Sequence, residues 1–133
     1  QNLVNALQQK YNIIHICYEF HPKLDNCHRF DRIIGKKALF AMVANCDKRL
    51  FIDSSLQHAA AALKLKSTVS WVATQPEVFG YKLHDNIKPV KEYRDGTIDS
   101  YLYDYDFTGT IYQCPYNSLE ELHDAQAMVD SIG

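Results

Sequence analysis

The sequence predicts an α/β fold in which helices alternate with parallel strands. Three short segments, at 12–18, 49–52 and 68–72, have the β-branched and aliphatic composition of buried strands. Each of them follows a segment with helical periodicity. Because strands that alternate with helices need crossover connections, this order favours a parallel sheet covered by helices.

Composition agrees with one globular domain. The chain has 133 residues, of which 47% are hydrophobic and 23% are charged, the balance of an ordinary soluble protein. No apolar run has the length of a membrane span, and the pattern of a signal peptide is not found. The net charge of -2 argues against a nucleic-acid partner. We therefore expect a cytoplasmic protein.

The first half of the chain is predicted to contain two helices and two strands. A helix at 3–10 leads into the strand at 12–18, and polar residues with a proline indicate a loop at 21–26. A brief strand is expected at 32–34, where a glycine ends it. The apolar residues of 36–45 then indicate a helix that packs on a sheet.

The second half repeats this order before the pattern changes. The strand at 49–52 precedes a helix at 54–64, and the strand at 68–72 places Trp71 in the core. Residues 84–86 are predicted to form a turn, since they are polar and include Asp and Asn.

The tail of the chain indicates a hairpin and a final helix. Asp95-Gly96 separates two strand-like segments within 90–105, which is a strong hairpin signal. A capping box begins a helix over 118–132, and His123 on this helix is expected to be solvated.

The cysteines favour free thiols over a metal site. None of them forms a Cys-x-x-Cys pair, and they stand at Cys17, Cys27, Cys46 and Cys114. A metal cluster is the alternative, although its spacing matches no standard zinc motif, and its ligands would be Cys17, His21, Cys27 and His28. Asp104-Tyr105-Asp106 is spelled like a metal motif but follows the predicted hairpin, which favours an exposed strand edge.

The segment 51–63 carries the clearest chemical pattern. An apolar strand runs into Asp53 and then into two serines, after which an alanine-rich helix begins. Ser54 and Gln57 have the spacing of a capping box, so the helix is predicted to start near Ser55. The free N–H groups of this helix would lie at the carboxyl end of a parallel strand, where α/β sheets bind ligands and helix starts attract phosphate.

A purely structural role explains the same residues. Asp and Ser are common helix caps, and an alanine-rich helix is often one that packs closely on its sheet. His58, one turn into the helix, would then be a core histidine with a satisfied hydrogen bond.

Two consecutive segments, 53–63 and 67–76, together resemble the donor-domain signature of glycosyltransferase family nine, the heptosyltransferase-like group. The first matches its Asp-Ser-(Gly/Ser)-x-x-His-x-Ala-Ala pattern, and the second its strand followed by a Thr-x-Pro loop. Members are similar in having a GT-B fold of two Rossmann-like halves. The resemblance implies that 1–133 is a single Rossmann-like domain, with a parallel sheet, flanking helices and a C-terminal hairpin and helix. It further implies that this domain is the C-terminal half of a GT-B fold. The chain would therefore be a fragment of a longer two-domain protein.

The resemblance also implies which residues bind the donor. Backbone N–H groups and hydroxyls of Ser54, Ser55 and Leu56 would meet the pyrophosphate. Asp53 would accept hydrogen bonds from the transferred sugar, while His58 would support the helix start or approach the phosphate. Thr74 and Gln75 would line the neighbouring loop, and Glu19 would hydrogen-bond the ribose. No catalytic residue is assigned, because the general base is expected in the other half.

The activity implied is transfer of a hexose or heptose from a nucleotide-diphosphate sugar to a cell-surface glycan or lipopolysaccharide-type acceptor. Neither a cofactor nor a metal is implied. The missing acceptor domain would provide peripheral association with the inner face of the membrane, and without it the chain is expected to be inactive. The sequence departs from the family pattern at Ser55, where glycine is common, and at 72–74, which replaces Gly-Pro-Thr.

Two other interpretations stay open. A non-catalytic Rossmann-like module would bind a nucleotide or a protein and transfer nothing. A response-regulator-like domain would need an acidic pocket after its first strand, where this sequence offers only Glu19.

Overall fold

Helices and strands alternate along most of the chain, as predicted. The structure is a computed structural model that describes residues 1–32, 35–72, 74–91 and 116–133. In chain order its elements are α1 (Asn2–Leu7), β1 (Ile14–Ile16), β2 (His28–Phe30), α2 (Lys36–Asn45), β3 (Leu50–Ile52), α3 (Ser55–Ala62), β4 (Thr68–Ser70), α4 (Pro76–Phe79), β5 (Asp85–Ile87), α5 (Leu119–Leu122) and α6 (Ala125–Ile132).

The strands that the structure describes form two short sheets, and the pairings between them are parallel. β1 pairs with β2, and β4 lies between β3 and β5. In the larger sheet Leu50 stands opposite Thr68, which in turn stands opposite Asp85. The parallel α/β class is therefore confirmed, as short parallel-strand sheets flanked by helices.

Two strands lie where the sequence pattern did not put them. His28–Phe30 is a strand that sequence analysis did not predict, while residues 33 and 34 of the predicted strand at 32–34 lie outside the described residues. The predicted turn at 84–86 is largely strand β5. Both strands are rich in polar residues, which are depleted from strands in general. In β5 the polar side chains have partners: Asp85 pairs with Lys66 at 2.9 Å, and Asn86 accepts from the Trp71 indole.

The predicted C-terminal helix is two helices, because Asp124 starts a new one. The Asp124 carboxylate accepts from the Ala127 N–H at 2.9 Å, which is an N-cap bond. Upstream, Ser118 caps α5 as expected, accepting from the Glu121 N–H at 3.3 Å, while the Glu121 carboxylate accepts from the Asn117 N–H and not from that of Ser118.

Lys91, which follows β5 in the chain, is joined to Glu121 of α5. The Lys91 N–H donates to the Glu121 carbonyl at 3.1 Å, and their side chains form an ion pair at 3.5 Å. The predicted hairpin falls almost wholly within 92–115, which lies outside the described residues.

The core lies between β4 and the helices on either side of it. α6 packs against α1 and against β4 and β5, whereas α3 packs on β3 and against α2. Trp71 is fully buried, as predicted, in a core that also contains Val4, Val43, Ala60, Val69, Met128 and Ile132. Of the helices that the structure describes, none combines the length and the apolar character that crossing a membrane requires.

Replacing Asn86 should destabilise the protein by removing the partner of a buried donor. The Asn86 side-chain oxygen accepts from the Trp71 indole N–H at 2.9 Å, and its amide group donates to the carbonyls of Tyr81 and His84. We expect Asn86→Ala to lower the free energy of unfolding by about 1–3 kcal/mol. Urea denaturation followed by Trp71 fluorescence measures this loss. The exposed Asn12→Ala is the control, and equal losses in the two variants would contradict the assignment.

Candidate functional site

The Asp53 carboxylate links the carboxyl ends of two neighbouring strands. Asp53 follows β3, and its Oδ2 accepts from the hydroxyl of Thr74, which follows β4, at 2.5 Å. Its Oδ1 accepts from the side-chain amide of Gln57 in α3 at 3.2 Å. The structure thus brings together Asp53 and Thr74, two predicted site residues that are 21 positions apart in the sequence.

The start of α3 lies beside this carboxylate. Ser54 is the N-cap, and its hydroxyl accepts from the Leu56 N–H at 3.4 Å. Ser55 is the first helical residue and is exposed, and its N–H lacks a helical acceptor, as at any helix start. The predicted capping box does not form: the Ser54 hydroxyl accepts from the Leu56 N–H and not from that of Gln57, and the Gln57 side chain donates to Asp53 through its amide while its Oε1 accepts nothing from the Ser54 N–H. A polar helix start therefore faces the same edge as Asp53.

Gln57 belongs to this site, although sequence analysis gave it only the role of a helix cap. Its side chain is fully buried, and its amide donates both to Asp53 and to the Phe79 carbonyl, the latter at 3.3 Å. Within the described residues its Oε1 has no hydrogen-bond partner. The available signal was a polar residue three positions before Ala60, on the side of the helix that packs on the sheet. Gln57 thus fixes the orientation of the Asp53 carboxylate from the buried side of α3.

His58 is exposed and contacts Tyr81, an aromatic residue of the loop between α4 and β5. Its Nδ1 lies 3.0 Å from the Tyr81 hydroxyl, and the two rings meet edge to face with centroids 5.5 Å apart. Tyr81 makes a second edge contact, at 5.7 Å, with His84. The buried His84 places Nε2 3.0 Å from the Gln57 carbonyl, which can only accept, so the proton resides on Nε2. His58 is not a core histidine, and its role toward a ligand stays a prediction.

Glu19 and Gln75, the other two predicted residues, differ in their surroundings. Gln75 is exposed and precedes Pro76 as the N-cap of α4, close in sequence to Thr74. Glu19 is exposed in the loop after β1, where its carbonyl accepts from Arg29 at 2.9 Å. No hydrogen bond among the described residues joins Glu19 to the Asp53 network, so the structure does not bring it into this site.

Arg29 organises the loop that contains Glu19. Its guanidinium donates to the carbonyls of Tyr18, Glu19, His21 and Pro22. It also pairs with Asp31 at 3.0 Å, and this hydrogen bond lowers the pKa of the Asp31 carboxyl below its usual value. Because the Arg29 guanidinium binds all these acceptors, its N–H donors are used within the loop and in the ion pair with Asp31.

The alternative metal cluster does not form. Cys17, Cys27 and Cys46 are free thiols. In the part of the chain that the structure describes, no three His, Cys, Asp or Glu side chains come together as metal ligands. Cys114 and Asp104-Tyr105-Asp106 lie outside those residues.

His123, which was expected to be solvated, is half-buried against β4. Its Nδ1 lies 2.9 Å from the Ser70 hydroxyl. Burial lowers the pKa of His123 below the usual histidine value. The break before α6 turns this histidine toward the sheet, which a continuous helix over 118–132 does not predict.

A surface pocket of about 380 Å³ opens at one end of the smaller sheet, which is formed by β1 and β2. It lies at the amino ends of β1 and β2, whereas ligands of parallel sheets bind outside the carboxyl ends. Its lining residues are Gln8, Tyr11, Asn12, Ile13, Asn26, Cys27 and His28. This pocket is separate from the Asp53 site, which contains none of its lining residues.

Comparison of the chain with protein-family models, with curated proteins and with solved structures finds no match. The family resemblance therefore depends on the motif residues themselves and on the geometry that the structure gives them.

Removing the Thr74 hydroxyl should loosen the Asp53 network. Thr74→Val keeps the shape of the side chain but deletes the donor to the carboxylate. We expect the free energy of unfolding to fall by about 1.5–3 kcal/mol, the range for a hydrogen bond to a charged group. Urea denaturation provides the measurement. Ser55→Ala removes an exposed hydroxyl from the same edge and should cost less than about 0.5 kcal/mol; equal effects would mean that the bond contributes nothing.

Stability should fall as the solution is acidified past the ordinary pKa of histidine. Burial lowers the pKa of both His123 and His15, with the Arg29 charge adding to the effect at His15. Charging these groups therefore opposes folding: the stability is complete above about pH 6.5 and declines as the pH falls from there toward the lowered pKa values. His123→Asn should lose less stability than the wild type between about pH 7 and pH 5. Asn12→Ala removes no titratable group from an exposed site and should follow the wild-type profile.

Proposed function

We propose that this chain is the nucleotide-sugar-binding domain of a glycosyltransferase of GT-B architecture, similar to glycosyltransferase family nine. The observation that carries the proposal is the hydrogen bond between Thr74 and Asp53. It joins the two halves of the motif at the carboxyl ends of adjacent parallel strands, which is where α/β sheets bind ligands. If the match of residue types were a coincidence, nothing would require the Asp53 and Thr74 side chains to be hydrogen-bonded to each other.

The start of α3 supplies the chemistry for a diphosphate. A helix of eight residues carries roughly half a positive elementary charge at its N-terminus. The exposed Ser55 adds a backbone N–H and a hydroxyl there, and the Ser54 hydroxyl, which accepts from the Leu56 N–H, still has its own proton to donate. As the glycosidic bond breaks, negative charge grows on the nucleoside diphosphate that leaves. These donors are fixed in advance, so they would stabilise that charge without reorganising.

Asp53 retains the capacity to bind a sugar. A carboxylate offers about four lone-pair positions, and Gln57 and Thr74 occupy one on each oxygen. The remaining positions can accept from sugar hydroxyls, and the two existing bonds fix the direction in which they point. A negatively charged carboxylate is poorly suited to phosphate itself, so the hexose or heptose is its natural partner in this arrangement.

Transfer would need a second half that holds the acceptor and a general base. In this proposal the nucleotide sugar binds to the present domain, and the acceptor, a cell-surface glycan or a lipid-linked precursor, binds across a cleft from it. The domain alone would bind donor and product but would not catalyse transfer. A non-catalytic module that binds a nucleotide would share the first property and never acquire the second.

Replacing Asp53 should affect the sugar more than the nucleotide. We expect Asp53→Asn to weaken binding of UDP-, ADP- or GDP-linked sugars by about tenfold, because the amide offers fewer acceptor positions, while binding of the bare nucleoside diphosphate changes little. Titration calorimetry with each nucleotide and its sugar conjugate measures both. Asp47→Asn, at an exposed position before β3, is the matched control and should change neither affinity.

Each other outcome has a meaning. Equal loss for sugar conjugate and bare nucleotide would remove the sugar from Asp53. Absence of binding to every nucleotide would overturn the proposal. Nucleotide binding with no preference for the sugar conjugate would favour the non-catalytic module.

A further inference from the structure

The two parallel sheets have unlike edges. The outer strands β2 and β5 carry charged or polar residues, namely His28 and Arg29 in the first and Asp85 and Asn86 in the second. Such residues protect an edge from pairing with another strand. The other two edges belong to β1, Ile-His-Ile, and β3, Leu-Phe-Ile, which have no acidic residue, lysine, arginine or proline. We call the free edges of β1 and β3 the aliphatic edges. They lack the Asp, Glu, Lys, Arg and Pro residues that protect a sheet edge from pairing with a further strand.

The free edge of β1 is defined by its hydrogen bonds to β2. The His28 N–H donates to the Ile13 carbonyl at 2.7 Å, and the Cys17 N–H donates to the Phe30 carbonyl at 3.0 Å. Residues 13, 15 and 17 thus face β2, because peptide groups alternate in direction along a parallel strand. The N–H and C=O groups of Ile14 and Ile16 consequently point to the opposite edge. No strand among the described residues pairs with them.

The free edge of β3 follows from the same reasoning. The Thr68 N–H donates to the Arg49 carbonyl at 2.9 Å, so residues 49 and 51 face β4. The peptide groups of Leu50 and Ile52 point the other way, where the described part of the chain again provides no paired strand. Ile52 is also 60% exposed, although it ends a strand whose neighbour β4 is buried throughout. Within the described part of the chain, both of these edges therefore have backbone groups that no strand pairs with.

Helices connect the two sheets. α1 leads into β1 and packs against α6, which covers β4 and β5. The Tyr11 hydroxyl, just before β1, donates to the carbonyls of Ile132 and Gly133 at 3.4 and 3.1 Å. On the chain path α2 runs from β2 to β3 and packs against α3. The sheets thus share their helical cover, as two parts of one layer would.

We infer that β2-β1 and β3-β4-β5 are the two parts of one parallel sheet, and that the slot between β1 and β3 accepts one more parallel strand, aliphatic and joined to the amino end of α1. A strand that precedes α1 would form a right-handed crossover unit with β1 and so lie beside it. The completed order, with the new strand between β1 and β3, is that of a doubly wound sheet, 3-2-1-4-5-6. This inference stands whether or not the domain binds a nucleotide sugar.

Amide hydrogen exchange of the 133-residue chain gives the first test. The amides of Ile14, Ile16, Leu50 and Ile52 should exchange faster than those of His15 and Phe51, which face neighbouring strands. Slow exchange of the four edge amides in the monomer would overturn the inference. If their protection grew with protein concentration, a second copy would occupy the slot, and the inferred occupant would be wrong.

Extension of the chain before Gln1 gives the second test. The probe is Val-Ile-Val-Ile-Asn-Gly-Ser, a short aliphatic strand with a turn that leads into α1. It should slow exchange at the edge amides of both β1 and β3 by about tenfold or more. The control extension, Val-Pro-Val-Pro-Asn-Gly-Ser, lacks the N–H groups that pairing needs and should leave the rates unchanged.

Two results would contradict the inferred slot. Unchanged rates with the pairing extension mean that no strand enters, and equal protection by the proline control means that the effect is not strand pairing. A second extension, Thr-Val-Thr-Val-Asn-Gly-Ser, repeats the measurement with a more soluble strand. Circular dichroism and gel filtration establish that each extended chain is folded and monomeric before exchange is measured.

Discussion

The burial of β4 is the constraint on which the rest of the structure depends. All three of its residues are buried, and two of them carry hydroxyl groups that must find partners. Thr68 lies 2.6 Å from the Ser131 hydroxyl, and Ser70 lies 2.9 Å from His123. Both partners belong to the C-terminal part of the chain, so satisfying β4 determines where α6 docks. Ser131 passes the network on by donating to Asp85 in β5 at 2.8 Å.

The position of β4 also explains the candidate site. Because β4 pairs with β3 in parallel, the residues that follow the two strands emerge at one edge. Asp53 and Thr74 meet there, and α3 begins beside them. Gln57 reaches the same carboxylate from within the helix and also bonds the Phe79 carbonyl, which ties the site to α4. The site is therefore held by strand pairing, a helix cap and a buried amide together, and none of these depends on a ligand.

The sequence predicted the elements whose signals are local and apolar. The transition from β3 into α3 was found because an aliphatic run ends in Asp53 and two serines, which stop a strand and cap a helix. β2 and β5 were missed because edge strands carry polar residues, and the partners that make this tolerable are far away in the sequence. Asp85, for example, pairs with Lys66 and accepts from Ser131.

Competition between partners explains the remaining errors. Gln57 has the spacing of a capping box, but its amide N–H donates to the charged Asp53 carboxylate, and in this position of the side chain its Oε1 has no partner among the described residues. His123 was expected in water because helical periodicity places it outside the apolar stripe. Asp124 begins a new helix at the next residue, and this break presents the imidazole to Ser70. In both cases the deciding group is a polar side chain whose reach a single-sequence pattern does not encode.

The bond between Lys91 and Glu121 has a consequence for how this architecture can vary. It joins Lys91, which follows β5 in the chain, to Glu121 within α5. The entropy lost on closing a loop rises only with the logarithm of its length. A change in the number of residues between Lys91 and Glu121 would therefore cost little free energy, as long as the bond between these two residues is kept.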